Sequence, residues 1–178
     1  EAIPTLPGAL AGVGYRTALL GKAHFTPWGA SGFVESAADW ERQPYGDWQG
    51  PYYGFEQVQL ILGHNSASGH YGEWLRANHP DAVEKIWEIQ GRRPPSNPVI
   101  TWKSSVPVEA HHSTWTGDIA VAYLKQQSAE QPFFAWVSFP DPHHPFSAPE
   151  PYASMYDPEE LPMPPRREGD LNDKPPQY

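Results

Sequence analysis

Four residues in two short runs have the types and spacing to hold a small anion. The first run is Gly21-Lys22-Ala23-His24 and the second is Asp141-Pro142-His143-His144-Pro145. A lysine supplies a fixed cation with three donors, and a histidine supplies a donor, an acceptor and a proton that titrates near neutrality. If the chain stays extended through Gly21, Lys22 and His24 stand at i and i+2 and point to the same side. Joined by His143 and His144, they form a cradle for a tetrahedral oxyanion such as sulfate or phosphate, with one imidazole able to protonate a leaving oxygen. Each piece also has a plainer reading. Lys22 can be a solvated charge at a sheet edge, His24 a structural histidine, and the His143-His144 pair a set of donors to loop carbonyls.

Two helix-then-strand units must position these runs. In residues 1–25, Thr5 caps a short helix that tolerates Pro7 in its first turn, and Leu6, Leu10 and Val13 share a face. Gly12 and Gly14 stop that helix, and a strand over Tyr15–Leu20 ends at Gly21. In residues 113–146, Ser113 or Thr114 caps a helix that carries Trp115, Ile119, Ala122 and Tyr123 on one stripe and ends near Gln127. Phe133–Phe139 (FFAWVSF) is almost continuously apolar, as in a parallel strand covered by helices on both faces, which puts Trp136 with Trp115 in the core. Between the units, residues 26–112 read as a loop-rich insert rich in aromatics, with a half-exposed strand over Glu56–Leu62 and short helices over 71–77 and 81–90. Residues 147–178 form a proline-rich strap. The expected fold class is α/β, part of a doubly wound, mostly parallel sheet with helices on both faces. Ligands of such sheets bind beyond the carboxyl ends of the strands, where both runs lie.

Composition narrows the function classes. The chain has 178 residues, no cysteine, and 12 Lys and Arg against 21 Asp and Glu, for a net charge of −9. Disulfides, thiolate metal sites and cysteine nucleophiles are therefore excluded, and compartment is left open. The acidic balance disfavours nucleic acid and anionic membranes as partners. Apolar runs are far shorter than the roughly 20 residues of a membrane span. Eight Trp and nine Tyr argue for a folded body. Eleven of the 22 prolines fall from Pro140 onward.

The run Gly14-Tyr15-Arg16-Thr17-Ala18-Leu19-Leu20-Gly21-Lys22-Ala23-His24 resembles the G-Y-x-T-x-x-x-G-K-x-H segment of the formylglycine-dependent sulfatases, within the alkaline phosphatase superfamily. Residues 132–158 (PFFAWVSFPDPHHPFSAPEPYASMYDP) resemble that family's P-F-F strand followed by P-H-x-P. The resemblance implies an alkaline phosphatase-like sheet and hydrolysis of a sulfate ester of a small molecule or saccharide. It makes Lys22 and His24 sulfate contacts and His143 a sulfate contact that assists departure of the leaving group. His144 occupies the variable position and becomes a substrate contact. It also implies a formylglycine nucleophile and a divalent cation, usually calcium.

Neither of those last two has a source in this sequence. The family makes its nucleophile from a C/S-x-P-x-R run. A near match, Ser96-Asn97-Pro98-Val99-Ile100, has isoleucine in place of arginine and lies downstream of Lys22 when it should lie upstream. The family's metal carboxylates come from a strand before this region and a pair after it. No metal ligand is therefore assigned, and the expectation is an internal, inactive piece of a catalytic domain whose N- and C-terminal parts lie elsewhere. Weaker candidates have bland readings: Asp170, Asn172 and Asp173 as a solvated tail, Asp141 as a turn starter, His111-His112 as loop residues with substrate-rim potential, and Arg92-Arg93 and Arg166-Arg167 as exposed pairs. Two rival functions stay open. One is a phosphonate monoester or phosphodiester hydrolase of the same superfamily, and the other is a non-catalytic, aromatic-rich carbohydrate-binding or interaction module.

Overall fold

The structure is a computed structural model and describes residues 3–27, 30–42, 45, 47–64, 66–90, 101–165, 167–170, 172 and 174–175. In chain order, its helices are α1 (Leu6–Ala11), α2 (Ala37–Arg42), α3 (Gly69–Asn78), α4 (Pro80–Val83) and α5 (His112–Lys125). Its strands are β1 (Arg16–Lys22), β2 (Gln57–Ile61), β3 (Ile89–Gln90), β4 (Thr101–Ser104), β5 (Phe133–Ser138) and β6 (Phe146–Ala148). The main sheet has the order β2-β1-β5 and is wholly parallel, with Gly21 in register with both Leu60 and Ser138. A smaller sheet, β3-β4-β6, pairs β4 antiparallel with β3 and parallel with β6. The architecture is the mixed α/β kind expected, with a parallel sheet at its centre.

β1 is the spine. Side chains alternate across a strand, so Ala18 and Leu20 pack against Ala120 and Tyr123 of α5. Leu19 faces the other way, onto Val58, Phe55 and Trp40. Thr17, fully buried, locks the start of β1: its hydroxyl donates to the Gly54 carbonyl and accepts from the Glu56 amide, and its own amide donates to the Glu56 carboxylate. Gly21 sits near the end of β1 with φ 107°, in the region that favours glycine. A side chain there would run into the Ser138 carbonyl of β5 and the Thr116 methyl of α5. Glycine at this position lets strand and helix close in just where the lysine follows.

Several expectations change. β5 was expected to be covered on both faces, yet Trp136 is 46% exposed and Val137 38%. Among the described residues β5 has one neighbouring strand, and an apolar run does not distinguish a central strand from an outer one. Trp115, by contrast, is buried against Tyr71 as expected. The strand expected over Glu56–Leu62 forms as β2, but it is more buried than expected, with Val58, Leu60 and Ile61 fully buried. The polar glutamines of β2 suggested a half-exposed strand. The helix expected over 81–90 is shorter: α4 passes into a 3-10 turn over Glu84–Trp87, and Ile89–Gln90 pair with β4. The cap of α5 is His111, whose Nδ1 accepts the Ser113 amide, while the Thr114 hydroxyl is taken by the Val108 carbonyl. The apolar face read in α1 is open, with Leu6 and Val13 exposed.

Candidate functional site

Three parallel strands deliver one polar loop each to the same end of the sheet. β1 ends on Lys22, β2 is followed by Gly63-His64, and β5 is followed by Asp141–Pro145. The Lys22 Nζ lies 2.5 Å from His64 Nε2. The His64 ring stacks on His143, with centroids 4.0 Å apart and planes within 9°, and His143 stacks in turn on His144 at 4.2 Å. Lys22 is half-buried, and His143 and His144 are exposed. Lys22, His143 and His144 are thus gathered, with His64 as the piece between the lysine and the histidine pair. His24 stands apart from these contacts. β1 ends at Lys22, so strand alternation does not extend to residue 24, and the imidazole is exposed.

The electrostatics follow from crowding of cations in a partly desolvated corner. Burial lowers the proton affinity of Lys22. Burial, followed by the charges of Lys22, His143 and His144, lowers the His64 pKa to about 4, with Asp141 acting the other way. His64 is therefore a neutral ring at neutral pH. His143 Nδ1 lies 2.5 Å from the His144 carbonyl oxygen. A carbonyl can only accept, so in this contact the proton sits on Nδ1, and Nε2 is the nitrogen not engaged by it.

Reading the sequence missed His64, although the signal was there. The rule that ligands gather beyond strand ends was applied to two strands, and the same rule applied to residues 56–62 leads straight to Gly63-His64. Not every histidine near the sheet is free for chemistry. His70 accepts from the Leu60 amide and lies 2.7 Å from the Trp48 carbonyl, which uses both ring nitrogens in holding β2 to α3.

His111, His112 and Asp141 bring their potential ligand atoms within 4.8 Å of one another. The two histidines are buried where loop residues were expected, and burial drives the proton affinity of each down. Asp141 does more than start a turn: its Oδ2 accepts from the Ser113 hydroxyl at 2.7 Å. A calcium-type cation needs six to eight oxygen ligands. This cluster offers two imidazoles and one already bonded carboxylate, at the N-terminus of a 14-residue helix where the dipole repels cations. The cluster does not fit such an ion. Helix capping accounts for it, with His111 as the cap and the Asp141 charge complementing the dipole.

Asp170 is paired with Arg167 at 2.9 Å on the surface, as a solvated tail should be. Ser96–Ile100, Arg92-Arg93, Arg166 and Asp173 lie outside the described residues. Beside the 141–145 loop opens a cavity of about 880 Å³, lined among others by Asp141, Pro142, Trp102, Phe146, Tyr152 and Tyr156.

The structure defines a parallel α/β protein with an ammonium and stacked imidazoles gathered beyond its strand ends. Sequence comparison makes the class specific. The Sulfatase family model matches residues 1–164. The chain is also 34% identical over 164 residues to the multifunctional alkaline phosphatase superfamily protein PehA of Trinickia caryophylli, a match that covers 90% of this chain and 30% of that protein. The chain belongs to the sulfatase family, in the alkaline phosphatase superfamily. It spans about a third of the length of the curated relative it matches.

Proposed function

We propose that this chain contributes the oxyanion-binding wall of a sulfuric ester hydrolase. In this reading Lys22 and His24 contact sulfate oxygens, His143 serves the leaving group, and His144 touches the substrate. The nucleophile, a formylglycine by family resemblance, and a divalent cation are supplied by sequence outside these residues, since no C/S-x-P-x-R run occurs among the 178. The observation that carries the reading is the meeting of Lys22, from β1, with His143, from the loop after β5, on either side of His64.

The chemistry follows from those groups. As the sulfur–oxygen ester bond breaks, the leaving oxygen takes the electron pair and needs a proton. Protonated His143 delivers it from Nε2, because Nδ1 is engaged with the His144 carbonyl. The Lys22 ammonium, poised in a partly desolvated corner, opposes the charge on the sulfate oxygens. The cavity beside the 141–145 loop has room for the alcohol portion, and its aromatic lining suits a ring.

The test uses a polypeptide that carries this chain together with the nucleophile run, assayed on aryl sulfates. Lys22→Ala and His143→Ala should each lower kcat/KM by about 10²-fold or more. The His143→Ala loss should grow as the leaving phenol becomes more basic, as removal of an acid requires. Unchanged rates in both variants would overturn the reading. A phosphonate monoester or phosphodiester hydrolase is the second reading, favoured by a relative described as multifunctional. Both substrates present a tetrahedral anion to the same residues, so relative rates on sulfate and phosphonate esters separate them.

A further inference from the structure

We infer that the first turn of α5 is the jig that sets His143 opposite Lys22, with Ser113 and Asp141 as positioning residues for the proton donor. This rests on the hydrolase reading of the site and assigns two further residues to it.

The turn is itself firmly held. His111, His112, Trp115 and Thr116 are buried, the Thr116 hydroxyl donates to the His112 carbonyl at 2.8 Å, and the Tyr71 hydroxyl donates to the Ala110 carbonyl just ahead at 2.9 Å. On one side it meets the strand that carries Lys22, where the Thr116 methyl would lie 3.1 Å from a Cβ on Gly21. On the other side it grips the loop that carries His143. The Ser113 hydroxyl donates to Asp141 Oδ2 at 2.7 Å, and His112 Nδ1 stands 3.7 Å from the same oxygen. Asp141 lies within a turn closed by the His143 amide donating to the Pro140 carbonyl at 3.2 Å, so a fixed Asp141 fixes the backbone of His143.

The grip has a direction. A carboxylate only accepts, so the single Ser113 proton goes to Asp141. The Ser113 oxygen can then only accept from His112 Nδ1, 3.2 Å away, which places the proton of that neutral ring on Nδ1. The chain of donors runs from a buried imidazole through a hydroxyl to a half-exposed loop carboxylate. Beyond it the His143 ring is exposed and rests on His64. An exposed ring on a loop reaches a fixed place only through such supports, and small misplacement of a reacting group costs rate steeply.

Capping alone predicts something different. If the contact served only to complement the dipole of α5, its loss would lower the melting temperature and leave the His64–His143 stack in place. Ser113→Ala removes the grip from the helix side and Asp141→Ala from the loop side, while Ser113→Thr keeps the hydroxyl.

The experiment has two arms. In the first, histidine-ring NMR on the ¹⁵N,¹³C-labelled 178-residue chain reads the mutual shielding of the stacked His64 and His143 rings and the proton on His112 Nδ1. Ser113→Ala and Asp141→Ala should each abolish the shielding, and Ser113→Thr should retain it. In the second, the longer polypeptide with the nucleophile run is assayed on a series of aryl sulfates. The two alanine variants should lose about tenfold or more in kcat with KM little changed, the loss should grow as the leaving phenol becomes more basic, and Ser113→Thr should recover most of it. Shielding that persists in both alanine variants, or a His112 proton on Nε2 in the parent chain, overturns the grip whatever the longer polypeptide does. Lost shielding with rates unchanged on every phenol overturns the positioning role and leaves the hydrolase reading standing. A longer polypeptide that cleaves neither sulfate nor phosphonate esters overturns the hydrolase reading, and the ring shifts then judge the grip by themselves.

Discussion

Lys22 ends its strand with an ammonium held against a neutral imidazole, so two titrating groups share one hydrogen bond and each influences the other's proton. The consequence reaches beyond binding. The His64 pKa is lowered from the usual 6.5 to about 4, and burial also lowers those of His70, His111 and His112. In the unfolded chain these rings take up protons near pH 6.5, whereas the folded chain resists until lower pH. The unfolded state therefore binds more protons in the interval, and the stability these rings contribute is complete above about pH 6.5 and declines as pH falls toward 4. The melting temperature followed by circular dichroism should be lower at pH 5 than at pH 7.5. The non-titrating His64→Asn variant should narrow the gap. A melting temperature independent of pH over that range would contradict the assignment of neutral buried rings.

The elements matter through how tightly they meet. β1, β5 and α5 converge at Gly21, where backbone conformation and space both exclude a side chain. Gly21→Ala should destabilise the chain by more than about 1 kcal/mol in urea unfolding, since the left-handed region and the Ser138 carbonyl both oppose it. Substitution of Gly14, also at positive φ but facing open space, carries only the conformational part of that cost and should be milder. Leu19, fully buried between β2 and the aromatic layer, tests the other face, and Leu19→Ala should cost about 2–5 kcal/mol by the same measurement. Equal effects of the two glycine substitutions would remove the close approach of β5 as the reason for the motif glycine.

The molecule as a whole presents an outer strand with much of its apolar surface in the open. Phe133, Trp136, Val137 and the following Phe139 are all exposed beside an edge that pairs with no further strand among the described residues. Such edges recruit further strands. The 178-residue chain should associate in a concentration-dependent way in sedimentation velocity, and Val137→Lys should suppress it. The same chain should release no phenol from an aryl sulfate, because it contains no C/S-x-P-x-R run to act as nucleophile. Turnover by these residues alone would require a nucleophile among them and would remove the need for any outside contribution.

The α/β class, the two helix-then-strand units and three of the four gathered polar residues could be read from residue order, because period and turn chemistry are local. Gly21-Lys22 and His143-His144 each follow an apolar strand within a few positions, and the loop after a strand is a property of the chain itself. The same rule names Gly63-His64 as the residues after β2, but that this loop meets Lys22 is decided only by the pairing of β2 beside β1. The exposure of Trp136 depends equally on a distant fact, the order of strands in the sheet. The capping role of His111 and Asp141 arises from the meeting of α5 with the loop after β5. Periodicity records which face of an element is apolar; which neighbour that face meets, and which side chains come within a hydrogen bond across strands, is set by pairing between segments far apart in the chain.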